Sequence, residues 1–114
     1  MRLLKVMAVP ALSEEIVFRG LLTPGRAARR PVAGLIAAVA MFALWHVIEA
    51  LTFLPGAGLF LTPGFLACAT VLGAACAWMR YDTGSLWPAV ALHGVTVWLW
   101  QTLFAGPGVA DLLR

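Results

Sequence analysis

Five ionisable side chains stand inside otherwise apolar segments of the chain. Glu14, Glu15 and Arg19 lie in S-E-E-I-V-F-R-G (13–20), His46 closes F-A-L-W-H (42–46), and His93 follows A-L at 91–92. They amount to two carboxylates, one guanidinium and two imidazoles. A carboxylate held near an imidazole can polarise a water molecule and take its proton, while a second imidazole donates to the oxyanion formed on a peptide carbonyl. The same types can instead hold a metal, since a Glu and two His are zinc ligands. No H-E-x-x-H or C-x-x-C occurs, and G-x-S-x-G is absent from a chain whose only serines are Ser13 and Ser85. A serine nucleophile is therefore a poor reading.

Such groups stand out because of what surrounds them. The chain has 114 residues, 62% hydrophobic and 11% charged, with a mean hydropathy of +0.94. That is one domain at most, spanning 1–114, and an integral membrane protein. Eight Lys and Arg against five Asp and Glu make it basic. The positive charges lie between apolar runs, and no Lys/Arg stripe interleaved with aromatics appears, so nucleic acid is set aside as a partner. Arg2 and Lys5 before a short apolar run resemble the start of a signal peptide, but Pro10, Glu14 and Glu15 interrupt the run and no small-x-small cleavage site follows. Cys68 and Cys76 fall on one expected helix roughly 12 Å apart along its axis, too far for a mutual disulfide, and read as small packing residues.

The elements that must carry the polar groups follow from hydropathy. Segments 32–48, 64–79 and 86–104 are expected to span the bilayer, with a fourth at 3–22 that contains the first motif and whose charges are costly in lipid unless they face protein. The fold class is thus all-α, a polytopic transmembrane bundle of about four helices. Residues 53–63, interrupted by Pro55, Gly56 and Gly58, read as a turn or re-entrant loop. Arg26, Arg29 and Arg30 mark the first loop as cytoplasmic, Arg80 marks the third, and the Lys/Arg-free loop between them lies outside. Counting from the cytoplasmic ends puts Glu14, His46 and His93 at depths of roughly 18, 24 and 16 Å, close enough to share one level. Trp78, Trp87, Trp98 and Trp100 read as aromatic belts at the two interfaces, and Glu49 as an interfacial carboxylate able to orient His46.

E-E-I-V-F-R at 14–19 matches an E-E-x-x-x-R motif, and F-A-L-W-H at 42–46 matches F-x-x-x-H. Both resemble the CAAX prenyl protease and bacteriocin-processing (CPBP) family of glutamic intramembrane proteases. His93 falls where that family's third motif, H-x-x-x-N, begins; Val97 stands in place of the amide. The resemblance implies that Glu14 with His46 activates the hydrolytic water and that His93 helps stabilise the oxyanion. Glu15 and Arg19 would support the site by charge pairing, and Phe42 would wall it. It further implies no cofactor, with zinc as the alternative, and a membrane-bound protein or peptide substrate bearing a lipid-modified C-terminal, sorting or leader segment. The second reading is a catalytically silent membrane partner, of the self-immunity or scaffold type. The high Ala, Gly and Arg content points to a GC-rich bacterial source and hence to the inner membrane.

Overall fold

The computed structural model describes residues 2–21, 23, 25 and 29–114, and every regular element among them is helical. The first motif rides on a broken helical stretch made of α1 (Arg2–Val6), a kinked segment (Met7–Leu12), α2 (Ser13–Glu15) and a π-helical stretch (Ile16–Leu21). The break has a local cause. Val9 precedes Pro10 and takes φ −140°, ψ 119°, the extended conformation that a following proline ring favours. The expected segment 3–22 is therefore helical but not one straight rod: a kink at Val9 precedes the two carboxylates and a π-helical stretch follows them. Single π turns recur where a helix is re-aimed for function.

Three longer helices follow: α3 (Pro31–Thr52), α4 (Pro63–Thr83) and α5 (Trp87–Leu103). Each has proline in its first two positions, where the missing N–H is no loss. Thr62 caps α4 by accepting from the Phe65 N–H at 3.4 Å. Gly84, left-handed at φ 69°, ends it with its N–H on the Arg80 carbonyl at 3.0 Å. A 3-10 turn (Gly58–Leu61) lies within the expected 53–63 loop, and a short α6 (Val109–Leu112) follows α5.

Helices α3 and α4 are long and apolar enough to cross a membrane. Only 17% and 22% of their apolar windows are buried, whereas the central helix of a soluble protein is mostly covered. Val32, Ile36, Leu44 and Leu51 of α3 and Val71 and Trp78 of α4 face outward, as lipid-facing side chains do. The 17 residues of α5 sit at the lower end of the spanning range of about 17–25.

Helix α4 packs between α3 and α5, and the N-terminal stretch lies against α5. Phe18, Phe42 and Ala69 form one core cluster, with Trp45 and Phe65 packed on it; Ala57, Phe60 and Leu112 form another beneath the 53–63 loop. Arg29 and Arg30 are exposed, as topology determinants should be, while Arg26 lies outside the described residues. Arg80 is not in a loop: it belongs to the last turn of α4, and its Nε donates to the Arg19 carbonyl at 3.1 Å. Cys68 is exposed, Cys76 is buried, and both are free thiols.

Candidate active site

The adjacent carboxylates of α2 meet a single imidazole from two sides. His93 Nδ1 is 2.7 Å from Glu15 Oε1, and its Nε2 is 3.7 Å from Glu14 Oε2. A helix of ordinary pitch turns neighbouring side chains about 100° apart. An imidazole offers two nitrogens on different edges, so two consecutive glutamates can address both. Because the Glu15 carboxylate accepts, His93 Nδ1 donates, and Nε2 is the nitrogen presented to Glu14.

Glu15 is itself held from behind. Its Oε2 lies 3.3 Å from Arg19 Nε, the i,i+4 pair expected from the sequence. Both side chains are buried, at 0% and 1% exposure, so this pair is not the weak surface kind. The guanidinium lies with its central carbon 4.2 Å from the centroid of the Phe42 ring, and Nη2 donates to the Gly73 carbonyl at 2.9 Å. Charge, ring face and backbone carbonyl together fix it.

The second imidazole is positioned differently. His46 Nδ1 donates to the carbonyl of Phe42, one turn earlier on α3, at 2.9 Å, which leaves Nε2 pointing at Glu14 Oε2 from 4.0 Å. Phe42 meets the His46 ring edge-to-face at 4.8 Å, and Phe60 and Phe65, stacked on each other at 4.4 Å, meet it at 5.4 and 5.5 Å. Glu14 Oε2 is thus flanked by the Nε2 atoms of both histidines. It is buried and makes no direct hydrogen bond among the described residues. Glu49, one turn beyond His46, also turns inward: ligand atoms of Glu14, His46 and Glu49 all lie within 4.8 Å of one another. The interfacial expectation for Glu49 misses this, because i,i+3 spacing puts it on the same face as His46.

These groups line a cavity of about 910 Å³ whose other walls are almost wholly apolar, among them Phe18, Trp45, Phe60, Phe65 and Trp100. Thr96 and Val97 reach the cavity with His93. Gln101 Nε2 donates to the Pro107 carbonyl at 3.2 Å and so ties down the segment after α5. Trp100 packs on Phe65 at 5.9 Å and belongs to the cavity wall, whereas Trp78 and Trp87 are exposed as a belt requires.

A family model described as type II CAAX prenyl endopeptidase Rce1-like matches residues 1–99, which hold all five polar residues and all the side chains that clamp them. The chain belongs to the Rce1-like family. No curated protein and no solved structure matches it. Membership in the Rce1-like family makes protease activity and a membrane setting the general expectation for this chain, in line with two helices able to span.

Within this Rce1-like chain, the five ionisable residues and Phe42 lie together, while Gly73, Phe60 and Phe65 beside them were not among the residues expected from sequence. Gly73 and the aromatic pair Phe60 and Phe65 carry no ionisable group, so nothing in their chemistry announces them. Cys76, fully buried, directs its thiol at the Ala89 carbonyl at 3.7 Å and lies within reach of Glu15, packing beside the network rather than in the cavity. The donor types also fit a divalent metal: both imidazoles present Nε2 with Nδ1 already committed, an arrangement that orients histidine ligands elsewhere.

Proposed function

We propose that the protein is a polytopic intramembrane endopeptidase of glutamic type. It hydrolyses a peptide bond in a membrane-embedded or C-terminal or leader segment of a membrane-bound protein, in a bacterial inner membrane. The observation that carries this reading is the convergence of His46 Nε2 and His93 Nε2 on Glu14 Oε2, at 4.0 and 3.7 Å, on the wall of an apolar cavity.

Glu14 accepts a proton from a water molecule as the water oxygen attacks the scissile carbonyl carbon. His46, its Nδ1 proton held by the Phe42 carbonyl, accepts the water's other hydrogen at Nε2 and so orients the lone pair used in the attack. The carbonyl oxygen becomes an oxyanion, to which His93 donates from Nε2 while the Glu15 carboxylate accepts from Nδ1. Glu14 then passes its proton to the leaving nitrogen as the carbon–nitrogen bond breaks. One water is consumed, and the products are a carboxylic acid and an amine, which become carboxylate and ammonium when the acid's proton passes to the amine. The apolar walls exclude bulk water and accommodate an apolar or lipid-modified segment.

A second reading rests on the Glu14, His46 and Glu49 donor set, to which His93 Nε2 is adjacent. These residues would hold a zinc ion, which when bound would supply Lewis-acid polarisation of the carbonyl and an acidified water. A silent membrane partner remains the third, favoured by Val97 where an amide donor is expected.

The test uses the full chain in lipid nanodiscs with a farnesylated C-terminal reporter peptide, and membranes of the native host compared with a Glu14→Ala strain. Cleavage of the reporter, or a membrane protein whose processing disappears with Glu14→Ala, is the expected result. Processing that is identical in the parent and Glu14→Ala strains, with no reporter cleavage, would leave the silent-partner reading in its place. Retention of activity after chelation separates the glutamic route from the zinc one.

A further inference from the structure

We infer that Gly73 of α4 is a positioning residue for the site: its missing side chain and its carbonyl form the seat in which Arg19 holds Glu15, and through Glu15 the ring of His93. This rests on the proposed hydrolytic role of His93 but not on the identity of any substrate.

Helix α4 carries none of the motif residues, yet it supplies two of the contacts that fix Arg19. The Gly73 carbonyl accepts from Nη2 at 2.9 Å, and Arg80, two turns later on the same helix, donates to the Arg19 backbone carbonyl at 3.1 Å. A carbonyl inside a helix already accepts from the N–H four residues on, and it bonds a second donor only where that donor can approach closely. Glycine permits the approach. A Cβ built at position 73 would stand 2.7 Å from Phe42 Cδ1 and 3.2 Å from Arg19 Nη2. Neither neighbour can give way freely. The Phe42 ring is fully buried, packs on Arg19, and touches both imidazoles, at 4.8 Å from His46 and 5.7 Å from His93. Moving the ring disturbs both histidines; moving the guanidinium pulls it from Glu15 Oε2.

Gly94 makes the contrast. It is also buried and helical, and a Cβ there meets chiefly the thioether end of Met7, which can rotate away. Gly73 is filled by a ring and a charge that have no second place to go.

The chain contains two histidines, so His93 can be followed directly. Full-length protein labelled with 15N-histidine in nanodiscs gives two imidazole spin systems, assigned with His46→Gln. In the parent the His93 Nδ1 proton should lie far downfield, the mark of a short hydrogen bond to a carboxylate. Gly73→Ala should abolish that signal, although alanine favours a helix interior over glycine. On a cleavable reporter it should lower kcat about a hundredfold with KM held, the scale set by displacement of a group by about 1 Å. Arg19→Lys, which keeps the charge but cannot reach Gly73 and Glu15 as a fork, should lose it even if Gly73→Ala does not fold.

A folded Gly73→Ala protein with the parental His93 signal overturns the inference. So does an Arg19→Lys protein that retains it. The signal needs no substrate, so its loss in an otherwise inactive protein would refute the protease reading and leave the seat standing. An active protein with an indifferent signal would do the reverse.

Discussion

The two sides of Glu14 are built from different materials. On the His93 side the ring leans on a carboxylate, the carboxylate on a guanidinium, and the guanidinium on a phenyl face and a backbone carbonyl. On the His46 side the ring leans on the carbonyl of its own helix and is boxed in by Phe42, Phe60 and Phe65. A chain of charges can respond when charge develops on the ring it supports; an aromatic box with a backbone carbonyl holds a ring still. The difference suits the proposed division of labour, in which His93 would face the oxyanion and His46 would orient water. It also says where each side is vulnerable. The charged side fails by losing a partner, and the aromatic side fails by losing shape.

The largest expected effect comes from breaking the charged side at its centre. Arg19→Ala leaves the Glu15 carboxylate buried without its cation, the situation that typically costs about 3–5 kcal/mol. Thermal unfolding in nanodiscs should show that loss, and His93 should lose its downfield Nδ1 proton with it. Glu15→Gln/Arg19→Met, which removes both charges, should recover most of the stability and none of the turnover. If the double substitution is no more stable than Arg19→Ala, the ion pair is not what the charged side rests on.

How much of this was readable from sequence follows from what the bilayer makes conspicuous. Ionisable groups in apolar segments are costly, so Glu14, Glu15, Arg19, His46 and His93 announced themselves, and depth counting put three of them near one level. The helix starts at Pro31 and Pro63 and the break at Val9 before Pro10 follow from proline's geometry alone. Packing partners were not readable. Phe60 and Phe65 look like any lipid-facing phenylalanine, and Gly73 contributes a carbonyl and an empty space, neither of which has a residue type. Arg80 was misplaced in a loop because α4 runs on to Thr83 before Gly84 ends it. Its charge suited a topology signal, and only the fold reveals its bond to Arg19.

A smaller effect tests the oxyanion side. Val97 lies one turn beyond His93 and lines the same cavity, where an amide could donate to the oxyanion beside the imidazole. One such donor is worth about a hundredfold to a thousandfold where it is well aimed. Val97→Asn, aimed by chance rather than selection, should raise reporter cleavage at least about tenfold. Thr96, which also reaches the cavity, is the alternative donor in the parent; Thr96→Val should then lower the rate, and more so in the parent than in the Val97→Asn background. An unchanged rate in a folded Val97→Asn protein removes position 97 from the oxyanion site.

The smallest expected effect falls on the His46 side and separates the two hydrolytic routes. Glu49 stands within 4.8 Å of the ligand atoms of Glu14 and His46. If Glu14 alone takes the proton from water, Glu49 is a bystander with a carboxylate, and Glu49→Gln keeps its shape and its acceptor oxygen. The rate should then stay within about threefold of the parent, well inside the factor of ten that 1.36 kcal/mol represents. If the same carboxylate is a zinc ligand, an amide is a far poorer donor to the metal, and removing a ligand should cost both metal content and turnover. Metal analysis of the purified parent and Glu49→Gln proteins, alongside their rates with and without chelator, reads both quantities at once. Stoichiometric zinc that falls together with activity in Glu49→Gln would sink the glutamic route. A metal-free protein with near-parental turnover would reduce Glu49 to what the sequence first made of it, a carboxylate that helps to hold His46 in place.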